Sequence, residues 1–160
     1  MNNLIRLGSA GPRTVADDPW TLLRECPQAL PAGQLILPLA AWLARRDGAH
    51  GVWLAADAEV EALGEHLPAL PLIAIDFPSF RDGRGYSLAY LLRRRLGWQG
   101  ELRAVGDVLR DQLAHMRQCG FDAFAVREDK SVEDALKGLA GLSVLYGRSA
   151  IEPRPLFRRR

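Results

Sequence analysis

Cysteine is nearly missing. Cys26 and Cys119 are the chain's two, too few for a disulfide framework, a four-thiolate zinc site or an iron–sulfur cluster without outside ligands. Lysine is as rare, at 2 against 19 arginines, and the formal charge is only +2, too small for bulk binding to nucleic acid. There is no Cys-x-x-Cys, no Gly-x-Ser-x-Gly, no P-loop and no dinucleotide fingerprint. Nor is there a membrane-spanning run. The longest uncharged stretch, Cys26 to Ala44, is interrupted by Pro27, Pro31, Gly33 and Pro38, which break a helix. The start, Met1-Asn2-Asn3-Leu4-Ile5-Arg6, lacks the basic and apolar regions of a signal peptide. The expectation is a cytoplasmic protein with reduced thiols.

What remains is globular: 160 residues, 48% hydrophobic and 25% charged, enough for one domain with one core. Residues 1–33 read as an extended and turn-rich segment, with short strands at Leu4–Leu7 and Trp20–Glu25 separated by Gly11-Pro12 and Asp17-Asp18-Pro19. Apolar runs then recur at Leu35–Leu37, Val52–Ala55, Leu72–Ile75, Leu102–Val105 and Phe124–Val126. The gaps between them suit helical crossovers. This predicts an α/β domain over 1–160 with about five βα units and a mostly parallel sheet. An open doubly wound arrangement is preferred and a partial βα-barrel is the alternative. Pro38 is expected at a first helical position, Gly48 as a helix C-cap, and Gly97-Trp98 and Gly120-Phe121 as capping glycines with an apolar residue folding back. Ser131 is expected to open the last helix. Arg95 is expected within the apolar face marked by Leu88, Leu91, Leu92 and Leu96.

Ligands of open parallel sheets bind beyond the carboxyl ends of the strands. The richest such end is Asp76 to Ser87, where two arginines, Arg81 and Arg84, lie among Gly83 and Gly85. Glycine permits close turning, and guanidinium groups suit oxyanions and carboxylates. Arg81, Asp82, Gly83, Arg84, Gly85, Tyr86 and Ser87 are therefore candidates for holding an anion or a partner. Asp107, Arg110 and Gln112 join them if neighbouring strands bring them near. The competing reading has Arg81 and Arg84 pairing with Asp76 and Asp82 merely to lock the loop. Asp107 reads as a helix cap. Asp76 and Asp107 are the weak candidates for a general base. Asp111, His115 and Cys119 follow at four-residue intervals, a poor tetrahedral set; no metal is expected. The basic segment 150–160, ending Arg158-Arg159-Arg160, is either a frayed end or a strip that lies on an acidic surface.

Three runs, FPSFRDGRGYS (Phe77–Ser87), GELRAVGDVLRDQL (Gly100–Leu113) and RQCGFDAF (Arg117–Phe124), resemble the bacterial domain-of-unknown-function family nine-three-four. Its members are labelled oxidoreductases involved in sulfite reduction. The resemblance implies a cytoplasmic role in assimilatory sulfur metabolism, with sulfite reductase or its electron donor as partner, and it carries over no catalytic residues. No cofactor is predicted, because the chain has neither a flavin or nicotinamide fingerprint nor haem or cluster ligands. Two functions stay open: an accessory protein of sulfite reduction whose Arg/Gly loop binds a partner or a small oxyanion, or an enzyme acting on a phosphorylated or sulfated small molecule. A module whose loop pairs internally is the third reading.

Overall fold

The computed structural model describes residues 1–139. Each apolar run of the sequence becomes a strand: β4 (Gln34–Pro38), β5 (Gly51–Leu54), β6 (Leu72–Phe77), β7 (Glu101–Gly106) and β8 (Ala123–Ala125). Before them come β1 (Leu4–Gly8), β2 (Gly11–Val15) and β3 (Trp20–Leu22). The helices are α1 (Leu39–Arg45), α2 (Arg84–Tyr90), α3 (Leu113–Cys119) and α4 (Val132–Leu136), with a 3₁₀ stretch over Val60–Ala69.

The eight strands form one sheet in the order β2-β1-β8-β7-β6-β5-β4-β3. Strands β3 to β8 are parallel, while β1 runs antiparallel to both β8 and β2. The sheet is thus mixed and curls into a half-barrel; most of its pairings are parallel, as expected, but it has eight strands rather than about five βα units. The doubly wound preference is also corrected. From β3 to β8 spatial order follows chain order, with no reversal, and crossovers of one hand then place every helix on one side. The core shows the result. Ile73, Ile75 and Phe77 of β6 pack with Leu88, Leu92, Leu113 and Met116 on the helical face. The intervening Leu72 and Ala74 join Ile36 and Val105 in a smaller cluster without helical residues.

Several local expectations change. Gly11-Pro12 opens β2 rather than separating strands; Pro12 sits opposite Leu7 on an outermost strand, where a missing N–H is tolerated. Pro38 ends β4 and precedes α1 instead of starting it. Arg46, not Gly48, terminates α1, in the left-handed region at φ 53° with its N–H donating to Trp42 O. Gly97 (φ 73°) and Gly120 (φ 113°) do terminate helices, with Trp98 N bonding back to Leu92 O and Phe121 N to Met116 O. Ser131 Oγ accepts from Asp134 N at 3.1 Å and caps α4.

The inward arginine is Arg93, not Arg95. The turn Leu91–Arg95 is a π-helix, whose wider winding rotates the following residues off the α-helical face. Arg95 therefore points outward, 3.3 Å from Glu61, while Arg93 donates to the carbonyls of Trp98, Gly100 and Gly120.

Candidate functional site: a pinned loop beyond β6

Residues 78–83 join β6 to α2, and the next strand's exit holds them. Asp107 follows β7, and its Oδ2 accepts from Phe80 N at 2.7 Å while its Oδ1 accepts from Arg127 Nη1 at 2.6 Å. Its own N–H donates to Phe77 O at 2.8 Å. Asp107 is thus a loop clamp and not the helix cap expected. The short helical turn beyond it opens at Arg110, and Leu109 N is met by the Gln112 side chain. The amide of Gln112 also donates to Phe80 O. Both backbone groups of Phe80 are therefore held by side chains from the neighbouring unit. Phe80 is nonetheless 46% exposed.

Arg81 extends beside that ring, its guanidinium 5.4 Å from the Phe80 centroid. Among the described residues no carboxylate pairs with it. Arg84 differs. It makes a two-pronged pair with Asp82 (Nε–Oδ1 3.0 Å, Nη2–Oδ2 2.7 Å), and its backbone N–H donates to the same carboxylate. These bonds bring the Asp82 carboxyl down to about 2. The internally locked reading thus holds for Arg84 and fails for Arg81. An oxyanion here would meet one guanidinium, that of Arg81, with no carboxylate partner among the described residues.

Of the tight turning and close approach expected of the two glycines, only close approach is found, and only at Gly85. Gly83 has φ −87° and Gly85 lies inside α2, so neither adopts the left-handed conformation. A Cβ on Gly85 would sit 2.7 Å from the Phe77 ring, so this glycine lets α2 approach β6; one on Gly83 would meet only Tyr86 at 4.0 Å. Tyr86 fills the space between Phe77 and His115, with centroids 5.2 and 4.4 Å away, and burial pushes its phenol up. Ser87 lies within α2, beyond the loop. Arg110 turns to Asp134 at 3.3 Å. His115 Nε2 and Cys119 Sγ are 4.0 Å apart, and burial raises the thiol, the reverse of an activated nucleophile. Among the described residues no group of three or more metal-ligating side chains converges.

Asp76 faces the helix-free side. Arg24 Nη1 lies 2.8 Å from its Oδ1, yet the N–H bonds are not aimed there, and that buried oxygen has no hydrogen bond. Arg24 also covers Trp53, 5.2 Å from the ring centroid. Gly106 (φ 93°) passes so close to Asp76 that a Cβ would fall 2.5 Å from Oδ1. Two adjoining cavities open here, about 390 and 1030 Å³, sharing Arg24, Gly106 and Arg127.

Deeper on that face, Arg103 is fully buried and grips the equally buried Asp18 through both guanidinium nitrogens, at 2.8 and 2.9 Å. Glu101 and Arg6 complete the cluster. Burial alone would raise Asp18, but the hydrogen bonds and charge of Arg103 and the Met1 amine hold its carboxyl below the usual range.

Sequence reading missed Phe80, Arg24, Arg127 and this cluster. One signal was present: Arg103 interrupts the otherwise apolar run Leu102–Val105. Arg24 gave no sign, since β3 is an edge strand with β4 and β5 between it and β6, and only the curl of the sheet brings it over the exits of β6–β8.

A family model described as "Bacterial protein of unknown function (DUF934)" matches residues 51–157. Nothing matches among the curated proteins or among the solved structures.

Proposed function

The chain belongs to the DUF934 family of bacterial proteins, and from that premise we propose that it is an accessory protein of assimilatory sulfite reduction. It docks onto sulfite reductase or its electron donor through the loop Phe80–Arg84. The observation that carries this reading is the double anchoring of Phe80, whose amide binds Asp107 and whose carbonyl binds Gln112 while the ring projects into solvent. Nothing in the fold is gained by holding an apolar ring outward. A partner pocket gains from it, because a preordered backbone lowers the entropy lost on binding and aromatic and arginine side chains dominate interface energies. Arg81, stacked on Phe80 and without a carboxylate partner among the described residues, supplies a charge for an acidic partner surface. Residues 81–160 carry 16 basic and 10 acidic side chains, which favours the same encounter. The link to sulfite reduction rests on the family resemblance alone.

General-base action by Asp76 or Asp107 on a phosphorylated or sulfated small molecule has less in its favour. Arg24 and Arg127 already pair with these carboxylates, so neither guanidinium is left to hold the anionic group.

The test is retention of the purified chain on immobilised sulfite reductase and on its electron donor at low salt. The expected result is binding to one of them that weakens at least tenfold in the double variant Phe80→Ala/Arg81→Ala, with unchanged thermal stability. Absence of retention on both overturns the reading.

A further inference from the structure

The Phe80 loop is too small to hold a partner by itself. A specific interface covers about 800 Å² on each side, and Phe80 with Arg81 supplies only an anchor for one. The contact must continue over a neighbouring surface, and the two directions open to it differ in charge. Towards the exits of β7 and β8 stand Asp107, Asp129 and Asp134, carboxylates already paired with Arg127 or Arg110. Along α2 the chain brings no carboxylate of its own, for Gly83 to Gly100 contains no acidic residue.

The two sides of that helical stretch are cleanly divided. Gly85, Leu88, Ala89 and Leu92 turn to the core. Arg84, Ser87, Tyr90 and Arg94, at three- and four-residue spacing, form an exposed outer stripe. It runs roughly 15 Å at the helical rise. Among the described residues the exposed large apolar side chains are Phe80 and Tyr90, the latter at 42%. One exposed apolar residue is ordinary. Two aromatics at opposite ends of a single helix, each with arginine near by, match the composition of interface hot spots. Arg93 is turned inward onto carbonyls, Arg84 is held by Asp82 and Arg95 faces Glu61. That leaves Arg81 and Arg94 without a carboxylate among the described residues.

We propose that the docking surface runs from Phe80 along the outer face of α2 to Tyr90 and Arg94, and that its occupant is a carboxylate-rich strip of the partner protein. Two apolar recesses on that strip receive the rings, and carboxylates meet Arg81 and Arg94. The inference rests on the loop being a docking element and adds the extent and chemistry of what docks there.

The experiment measures binding of the full chain to immobilised sulfite reductase and to its immobilised electron donor, at low and at high salt, with three single variants beside the wild type. Tyr90→Ala should weaken binding about tenfold at both salt levels, because it empties an apolar recess. Arg94→Glu should weaken it about tenfold at low salt and less than about threefold at high salt, because salt screens an exposed charge pair. Arg45→Glu, at an equally exposed arginine of α1, should change it less than about twofold. All three positions are exposed, so the thermal midpoint stays at the wild-type value. Wild-type affinity in either Tyr90→Ala or Arg94→Glu overturns the inference; if Phe80→Ala/Arg81→Ala still loses binding, docking through the loop survives it. Equal weakening by Arg45→Glu reduces the effect to net charge and overturns it as well. Retention of the wild type on neither protein overturns loop docking and this extension together.

Discussion

The two faces of the sheet are held by different physics. On the helical face, cohesion is spread over many apolar contacts: Phe77 alone meets Phe121 and Tyr86, and Leu88, Leu92, Leu113 and Met116 interlock above β6 and β7. On the other face, four apolar residues form a thin cluster, and a buried ionic knot of Arg103, Asp18, Glu101 and Arg6 ties the N-terminal strands to β7. In dispersed packing a lost methylene costs only about 0.5–1.5 kcal/mol. A knot with one fully buried cation does not tolerate loss of one member, because the remaining charge stays buried without its partner. The same contrast separates the polar sites. The Phe80 loop is braced by neighbours on both sides, whereas Asp76 Oδ1 has the exposed Arg24 guanidinium at 2.8 Å without an aligned hydrogen bond among the described residues.

The sharpest way to break this contrast is Arg103→Met. It removes the two-pronged partner of Asp18, leaving only Arg6 and the Met1 amine beside it, and is expected to cost about 3–5 kcal/mol in urea denaturation. Adding Asp18→Leu should recover much of that loss, since an apolar pair needs no desolvation of charge. On the helical face Leu92→Ala should cost about 2–5 kcal/mol, with no comparable rescue by changing a single neighbour.

Next in size come the glycines. Gly85→Ala, which forces a Cβ onto the Phe77 ring, should destabilise by about 1–3 kcal/mol. Gly83→Ala, whose Cβ would meet open space, should leave the denaturation midpoint within about 0.5 kcal/mol of wild type. Equal costs for the two would refute the close approach of α2 to β6.

Acid separates the faces more gently. The Asp18 carboxyl is depressed in the folded chain, so its contribution is complete above its ordinary value of 3.8 and is lost as pH falls through the folded value. Asp18→Asn should flatten that part of the acid-stability profile, and an unchanged profile would contradict the knot. The smallest effect is expected at the loop: Phe80→Ala and Arg81→Ala each within about 0.5 kcal/mol of wild-type stability.

How much of this could be read from the chain depends on whether the cause is local. The strand positions were legible, because apolar runs such as Leu72–Ile75 and Leu102–Val105 state their burial directly. The caps at Gly97, Gly120 and Ser131 were legible for the same reason. Strand order was not, because pairing is settled by which surfaces meet after the turns have formed, and the one-sided half-barrel follows from that order. The π-turn at Leu91–Arg95 exchanged the places of Arg93 and Arg95, a change of helix face that no periodicity anticipates. Within the site, the sequence placed Asp107 and Gln112 beside the loop correctly but not their roles. Both hold Phe80, a residue that the arginines and glycines of the same loop overshadowed. Gly85 was legible as a glycine and illegible as a packing residue, since its need arises from a ring eight positions earlier in the chain.

The central claim is that the braced loop exists to be touched from outside. Titrating unlabelled sulfite reductase, and separately its electron donor, into the isotope-labelled chain and following its amide resonances tests this most directly. The account predicts that one of the two shifts or broadens Phe80, Arg81 and Arg84 first, and that Phe80→Ala abolishes the response. Perturbation confined to strands of the helix-free face, or no perturbation by either protein, would contradict it.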